Sequence, residues 1–297
     1  MSGLDALLHR RPPSAWQLFL REPFVFLARK LYSWKRGGAT RPHAADDERI
    51  SADTHNSRCE LPDADILIHA GDLTQSGSVQ ELNQSIAWLR AQSHGVKVVI
   101  AGNHDILLDS KRDDAQGKAA AARAHIDWGD INYLEDEALM VTCKNGRRLK
   151  IYGSPKSPRH GNWAFQYARH DDVWNNSVPD DTDILITHCP THAHLDLGGL
   201  GCRHLLSELW RVHPILHVFG HIHGGYGHEW LHFDALQNAY ERTILARGGF
   251  WNFLAVVRAF CGNYFSSQDE GAHQMVNASM VGGLRDEMRR KPIMVYI

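Results

Sequence analysis

"VKVVIAGNHD", Val96–Asp105, sets a short apolar run against a glycine and three polar residues able to bind metal. Such a run is too short for a helix and too continuous for a half-exposed strand, so it reads as a strand buried on both faces that ends in a loop. The same order recurs in "DILIHAGD" (Asp65–Asp72), "LKIYGSP" (Leu149–Pro155), "DILITHCP" (Asp183–Pro190) and "ILHVFGHIH" (Ile215–His223). Helical periods fall between some of these, over 79–92, 111–126 and 203–212, and strand alternating with helix argues for an α/β sheet with helices on its faces. "HQMVNASMVGG" (His273–Gly283) and "KPIMVYI" (Lys291–Ile297) read as closing strands.

Outside that pattern lie two helical segments. "SAWQLFLREPFVFLARKLYSWKR" (Ser14–Arg36) joins a wide apolar face to five basic residues and is broken by Pro23. It reads as a helical arm packed on the domain, with peripheral contact to a membrane surface as the alternative. "GGATRPHAADDE" (Gly37–Glu48) has linker composition, so residues 1–48 divide from 49–297. Asp234–Phe260 reads as two amphipathic helices broken at Gly248 and Gly249, the heart of a helical insertion over about 234–268.

Composition narrows the function classes. The formal charge of −2 over 297 residues gives no drive toward nucleic acid, where a basic patch is expected. Five scattered cysteines without a C-x-x-C pair exclude a zinc ribbon and a disulfide framework and favour a reducing, cytoplasmic compartment. No apolar run is long enough for a membrane span. Neither a Walker loop nor a G-x-S-x-G elbow is present. Histidine stands out, with 20 residues.

The chemistry gathers at the carboxyl ends of the expected strands, where ligands of open α/β sheets bind. Asp53 and His55 lie in "ADTH", Asp72 in "AGD", Asn103, His104 and Asp105 in "GNHD", His188 in "THCP", and His221 and His223 in "GHIH". Placed two apart on a strand, His221 and His223 would leave the same face. Imidazole, carboxylate and amide oxygen without thiolate suit manganese, iron or zinc rather than calcium, manganese first among them. The candidates exceed one tetrahedral ion, and two ions sharing a carboxylate would use them all.

In that order the motifs resemble the calcineurin-like metallophosphoesterase superfamily. "YGSP", "HLDLGGLGC", "HVFGHIHGGYG" and "VNASMVGGLRDEMRRKP" are similar, more narrowly, to the branch named for its metallophosphoesterase domain, which includes mammalian brain proteins and fungal relatives. The resemblance runs from about Ile50 onward and implies a four-layer αββα sandwich of two mixed sheets over 49–297. It implies one ion held by Asp53, His55, Asp72 and His223 and another by Asp72, Asn103, His188 and His221. His104 would bind phosphate or protonate the leaving oxygen, and Asp105 would orient His104. The implied activity is in-line hydrolysis of a small phosphodiester by a metal-bridging hydroxide, without a covalent intermediate.

Two features depart from the family. "ADDERISADTH" (Ala45–His55) offers a poor first strand, which would hold Asp53 and His55 loosely and leaves open a catalytically impaired binding or scaffold protein. Cys189 stands beside His188 where relatives carry glycine. It reads as a small buried cysteine, since Leu195 occupies the place where a cysteine phosphatase needs arginine. His192 and His194 line the substrate cleft or face solvent. Substrate and oligomeric state are not encoded in these motifs.

Overall fold

The computed structural model describes residues 14–36, 49–53, 59–112, 117–264, 273–282 and 288–297. These fall into two compact units, one of 49–229, 273–282 and 288–297, the other of 14–36 and 230–264.

The first unit is built on two sheets. One runs, in spatial order, Ile293–Tyr296, Arg49–Asp53, Ile66–Ala70, Val96–Ile100, Ile131–Leu134, and all its pairs are parallel except that of the first strand. The other runs Gly227–Leu231 (of which 227–229 belong to this unit), His273–Asn277, Leu216–Phe219, Ile184–Thr187, Arg148–Ser154, Glu137–Thr142, parallel from His273–Asn277 to Arg148–Ser154 and antiparallel at the last pair. Alternate strand residues meet between the sheets: Ile66, Ile68, Val98 and Ile100 from one, Leu149, Ile151, Ile184, Ile186 and Val218 from the other. Each such side chain contributes roughly 1.5–3 kcal/mol of burial.

The intervening residues Leu67 and Val99 face outward onto Leu82, Ile86 and Leu89 of the helix Val79–Arg90, which Ser78 and Glu81 cap reciprocally. The helix Arg203–Val212 buries Leu205, Leu206, Leu209 and Val212 as the other outer layer. The fold is the four-layer αββα sandwich of mixed sheets. Strands covered on both sides explain why the sequence runs were apolar throughout rather than alternating.

Three local expectations change. The weak stretch before Asp53 does form a strand, Arg49–Asp53, because backbone pairing on both sides holds it: Asp53 aligns with His69, and Ile50 with both Ile66 and Val295. The helical period at 111–126 shrinks to a 3-10 turn at Ser110–Arg112 and a helix at Lys118–Ala124, with 113–116 outside the described residues. The strand expected through His223 stops at Phe219. His221 takes a left-handed φ of 66°, and His223 opens a 3-10 turn, so the two imidazoles leave a tight turn and not a strand face.

The second unit is helical: Ala15–Arg21, Pro23–Arg36, Ala235–Leu245 and Phe250–Tyr264. Pro23 opens its helix one residue after the preceding helix ends, as its missing N–H allows. The arm and the insertion pack on each other. Tyr32 stacks on Tyr240 at 4.1 Å, Phe24 meets Phe250 and Phe253, and Trp34 meets Phe260. Asp234 caps Ala235–Leu245 by accepting from the Gln237 amide at 2.8 Å and pairs with Arg36. Arg247, Gly248 and Gly249, all at positive φ, make the break between the last two helices. The Gly37–Glu48 linker lies outside the described residues.

Candidate metal centre

Four strand ends in the sandwich unit deliver the expected side chains. After Ala70 the chain turns through Gly71 at φ 100° and Asp72 at φ 58°. Gly71 has no alternative here, since a Cβ would lie 2.5 Å from His188 Nδ1. Gly102 is similarly bound, because a Cβ there would collide with the Asp72 carboxylate and the His188 ring. Non-glycine residues at left-handed φ cost on the order of 1–3 kcal/mol and collect where function needs a particular direction. Asp72 and His221 both fit that description.

Asn103 is the point of convergence. Its Oδ1 lies 2.9 Å from His188 Nε2 and 2.7 Å from His221 Nδ1, and His188 Nε2 lies 3.5 Å from Asp72 Oδ1. The His188 and His221 rings stand 4.9 Å apart. Asp72, Asn103 and His188 are buried. His188 Nδ1 donates to the Ala70 carbonyl at 3.0 Å, which fixes the ring with Nε2 toward the Asn103 amide oxygen. Burial, and next the neighbouring His188, push His221 far below the ordinary imidazole range and keep it neutral. Imidazole nitrogens, an amide oxygen and a carboxylate facing one another in a buried place are a donor set that suits a divalent cation. Among the described residues no three histidine, cysteine or carboxylate side chains close a full ligand set.

The remaining candidates are placed unevenly. Asp53 ends its strand in register with His69, three residues before Asp72, while His55 lies outside the described residues. The half-buried His223 adds to the repulsion felt by His221, and its carbonyl accepts from Arg290.

His104 is held by backbone contacts. Its amide donates to Asp72 Oδ1 at 3.0 Å, and its Nδ1 donates to the Gln75 carbonyl at 2.8 Å. Asp105 does not orient that ring. Its carboxylate accepts from the amides of Leu73 (3.0 Å), Thr74 (2.8 Å) and Gly102 (2.7 Å) and from the Thr74 hydroxyl (2.8 Å). It is a clamp between two loops, with its pKa pushed up by burial and then by Asp72. The expectation fails because a residue adjacent to His104 in sequence points into the protein, where the unpaired amides are.

Sequence reasoning missed two neighbours. The Trp163 ring lies 4.5 Å from His104, and the His160 ring 4.8 Å from His221, with His160 Nδ1 2.8 Å from Gln166 Nε2. Both sit in the irregular stretch after "YGSP", where no periodicity marks a residue. His194 neither lines a cleft nor faces solvent. It is buried, with Nδ1 2.9 Å from Glu229. Burial pushes the Cys189 thiol well up, as befits an inert cysteine.

The sequence profile of calcineurin-like phosphoesterases matches residues 46–225. The chain belongs to the calcineurin-like phosphoesterase family, whose members use divalent metal ions. Within it, the chain is 35% identical to human metallophosphoesterase domain-containing protein 1, over 59% of this chain and 60% of that protein. It is 34% identical to a UPF0046 protein of Caenorhabditis elegans, over 59% and 63% respectively. It is also 43% identical to a protein of Emericella nidulans named probable rhamnogalacturonate lyase C, over 99% of this chain but 29% of that protein. The chain thus spans less than two thirds of each of these relatives. A solved structure from Thermus thermophilus aligns at 12% identity with a TM-score of 0.42, covering 64% of this chain and 86% of that one.

Proposed function

We propose that the chain is a binuclear metal-dependent phosphodiesterase acting on a small phosphodiester. The convergence of His188 and His221 on Asn103, beside Asp72, carries this reading. Asp72, Asn103, His188 and His221 would hold one ion, and Asp53, His55, Asp72 and His223 the other. Nitrogen and oxygen donors without thiolate favour manganese, then iron or zinc. When bound, such ions supply Lewis acidity to phosphoryl oxygens and lower the pKa of water.

The chain's own residues do the rest. With Nδ1 donating to the Gln75 carbonyl, Nε2 is the His104 nitrogen that serves as the acid for the leaving alkoxide. Trp163 covers one side of that ring and limits the rotamers it can take. Asp105 is a positioning residue that fixes the Asp72 and Asn103 loops against each other. Gly71 and Gly102 let His188 and Asp72 approach the backbone.

The test is manganese-dependent hydrolysis of bis(p-nitrophenyl) phosphate and of p-nitrophenyl phosphate, with Asp72→Asn as control. Preference for the diester, lost by roughly 10²–10³-fold in Asp72→Asn, is the expected result. Metal uptake by the folded chain with turnover of neither ester would overturn the reading in favour of a binding or scaffold protein.

A further inference from the structure

The helical unit buries part of its apolar surface and carries several large apolar side chains outward. Trp16, Leu20, Trp34, Phe250, Trp251 and Leu254 are exposed, with Trp34 at 76% and Trp251 at 77%. The helix Ala15–Arg21 buries no residue, and among residues 250–262, whose burial is described, Phe250–Tyr264 buries only Val256, although Arg258 is its single charge. A helix apolar on all sides is normally enclosed by protein or lipid. Single exposed hydrophobic residues need no explanation, but a group of this size marks an interaction surface.

Charge decides which kind. The described residues of this unit hold eight Lys and Arg (Arg21, Arg29, Lys30, Lys35, Arg36, Arg242, Arg247, Arg258) against three acids, a balance of +5 where the whole chain is −2. Two of those acids are spent internally: Asp234 on Arg36, and the buried Glu241 on Gln237. A second copy of the chain would meet this surface with the same sign. An anionic bilayer would meet it with the opposite sign, and tryptophan beside lysine and arginine is the composition that settles at the boundary of headgroups and acyl chains. Spanning is excluded for the described helices, none of which is long and apolar enough. Phe250–Tyr264, at 15 residues, extends only about 22 Å, short of a hydrocarbon core of about 30 Å.

We propose that the helical unit is a peripheral docking surface for anionic membranes, seated by Trp16, Trp34 and Trp251 and drawn in by Lys30, Lys35 and their basic neighbours. It binds in the plane of the interface, and its strength depends on salt.

The full chain is sedimented with vesicles of phosphatidylcholine alone and with phosphatidylserine added, at low and high salt, while its indole emission is followed. Binding to the anionic vesicles, a blue shift on binding, and release by salt are expected. Lys30→Glu with Lys35→Glu lowers the partition by roughly 30-fold or more. Trp34→Ala with Trp251→Ala lowers it by at least about tenfold while the unfolding midpoint falls only slightly, since both side chains are largely exposed and lose only their ring contacts with Phe260 and Phe250. Equal pelleting with neutral and anionic vesicles, or none with either, overturns the proposal. So does a lipid-free dimer in sedimentation equilibrium that the tryptophan variant dissolves.

Discussion

The sandwich unit and the helical unit use apolar residues in opposite ways. In the strands Ile66–Ala70 and Ile184–Thr187 every residue is buried, whereas the helix Ala15–Arg21 buries none of its tryptophan, phenylalanine and leucines. Both segments look alike to a hydropathy count. What separates them is the number of faces covered: the strands lie under a partner sheet on one side and a helix on the other, while Ala15–Arg21 has no face fully covered, although Ala235–Leu245 in the same unit buries Leu236, Ala239, Tyr240 and Ile244. The sandwich is rigid at its strand ends because its interior is full, and rigid strand ends are what a multi-residue centre requires. The helical unit has spent less of its surface on itself.

The contrast can be tested from its strongest consequence downward. His104→Ala should lower diester turnover by roughly 10²–10⁴-fold with little change in the unfolding midpoint, because the half-buried ring gives up one hydrogen bond, to the Gln75 carbonyl, and its contact with Trp163. A loss under tenfold would detach the rigid strand ends from the chemistry.

Leu149→Ala, deep between the sheets, should cost about 2–5 kcal/mol in denaturant unfolding, whereas Leu20→Ala in the helical unit should fall within about 0.5 kcal/mol of the parent. Similar costs at the two sites would erase the distinction.

A smaller effect separates the units by pH. Burial raises the Asp234 carboxyl, but the Gln237 amide and Arg36 outweigh it and hold the pKa below its ordinary value. A depressed folded pKa means that the stabilisation is complete above the unfolded value of about 3.9 and is lost as pH falls through the folded one. Helix content measured from about pH 5 to pH 2 should therefore loosen in the parent and stay flatter in Asp234→Asn. Asp234→Ala, which removes the cap, should cost about 1 kcal/mol at neutral pH. An identical acid transition in parent and Asp234→Asn would remove Asp234 from the account.

Much of this was legible because strands buried on both faces announce themselves as unbroken apolar runs. Ile66–Ala70, Val96–Ile100, Ile184–Thr187 and Leu216–Phe219 were all readable, and so was the arrival of Asp72, Asn103 and His188 at their ends. Backbone pairing without a long apolar run was not: Arg49–Asp53 is held by register with two neighbours, a property of residues far away in sequence. The left-handed turn at His221 also lay beyond reach, since periodicity carries no sign for φ. Asp105 was misread because adjacency in sequence says nothing about which loop has unpaired amides. His160 and Trp163 joined the centre through the Ala164 amide, which donates to the Asn103 carbonyl at 3.0 Å, a tie that leaves no mark on composition.

The Asp105 clamp has a consequence for how the chain can vary. One carboxylate fixes four donors from two loops, so the number of residues from Asp72 to Thr74 and from Gly102 to Asp105 cannot change by even one without leaving buried amides bare. Insertions and deletions are thereby directed elsewhere around the centre, into the stretch that carries His160 and Trp163, which is tied to the Asn103 backbone at a single amide and can lengthen before it. The same carboxylate that holds the centre still determines where its surroundings can diversify.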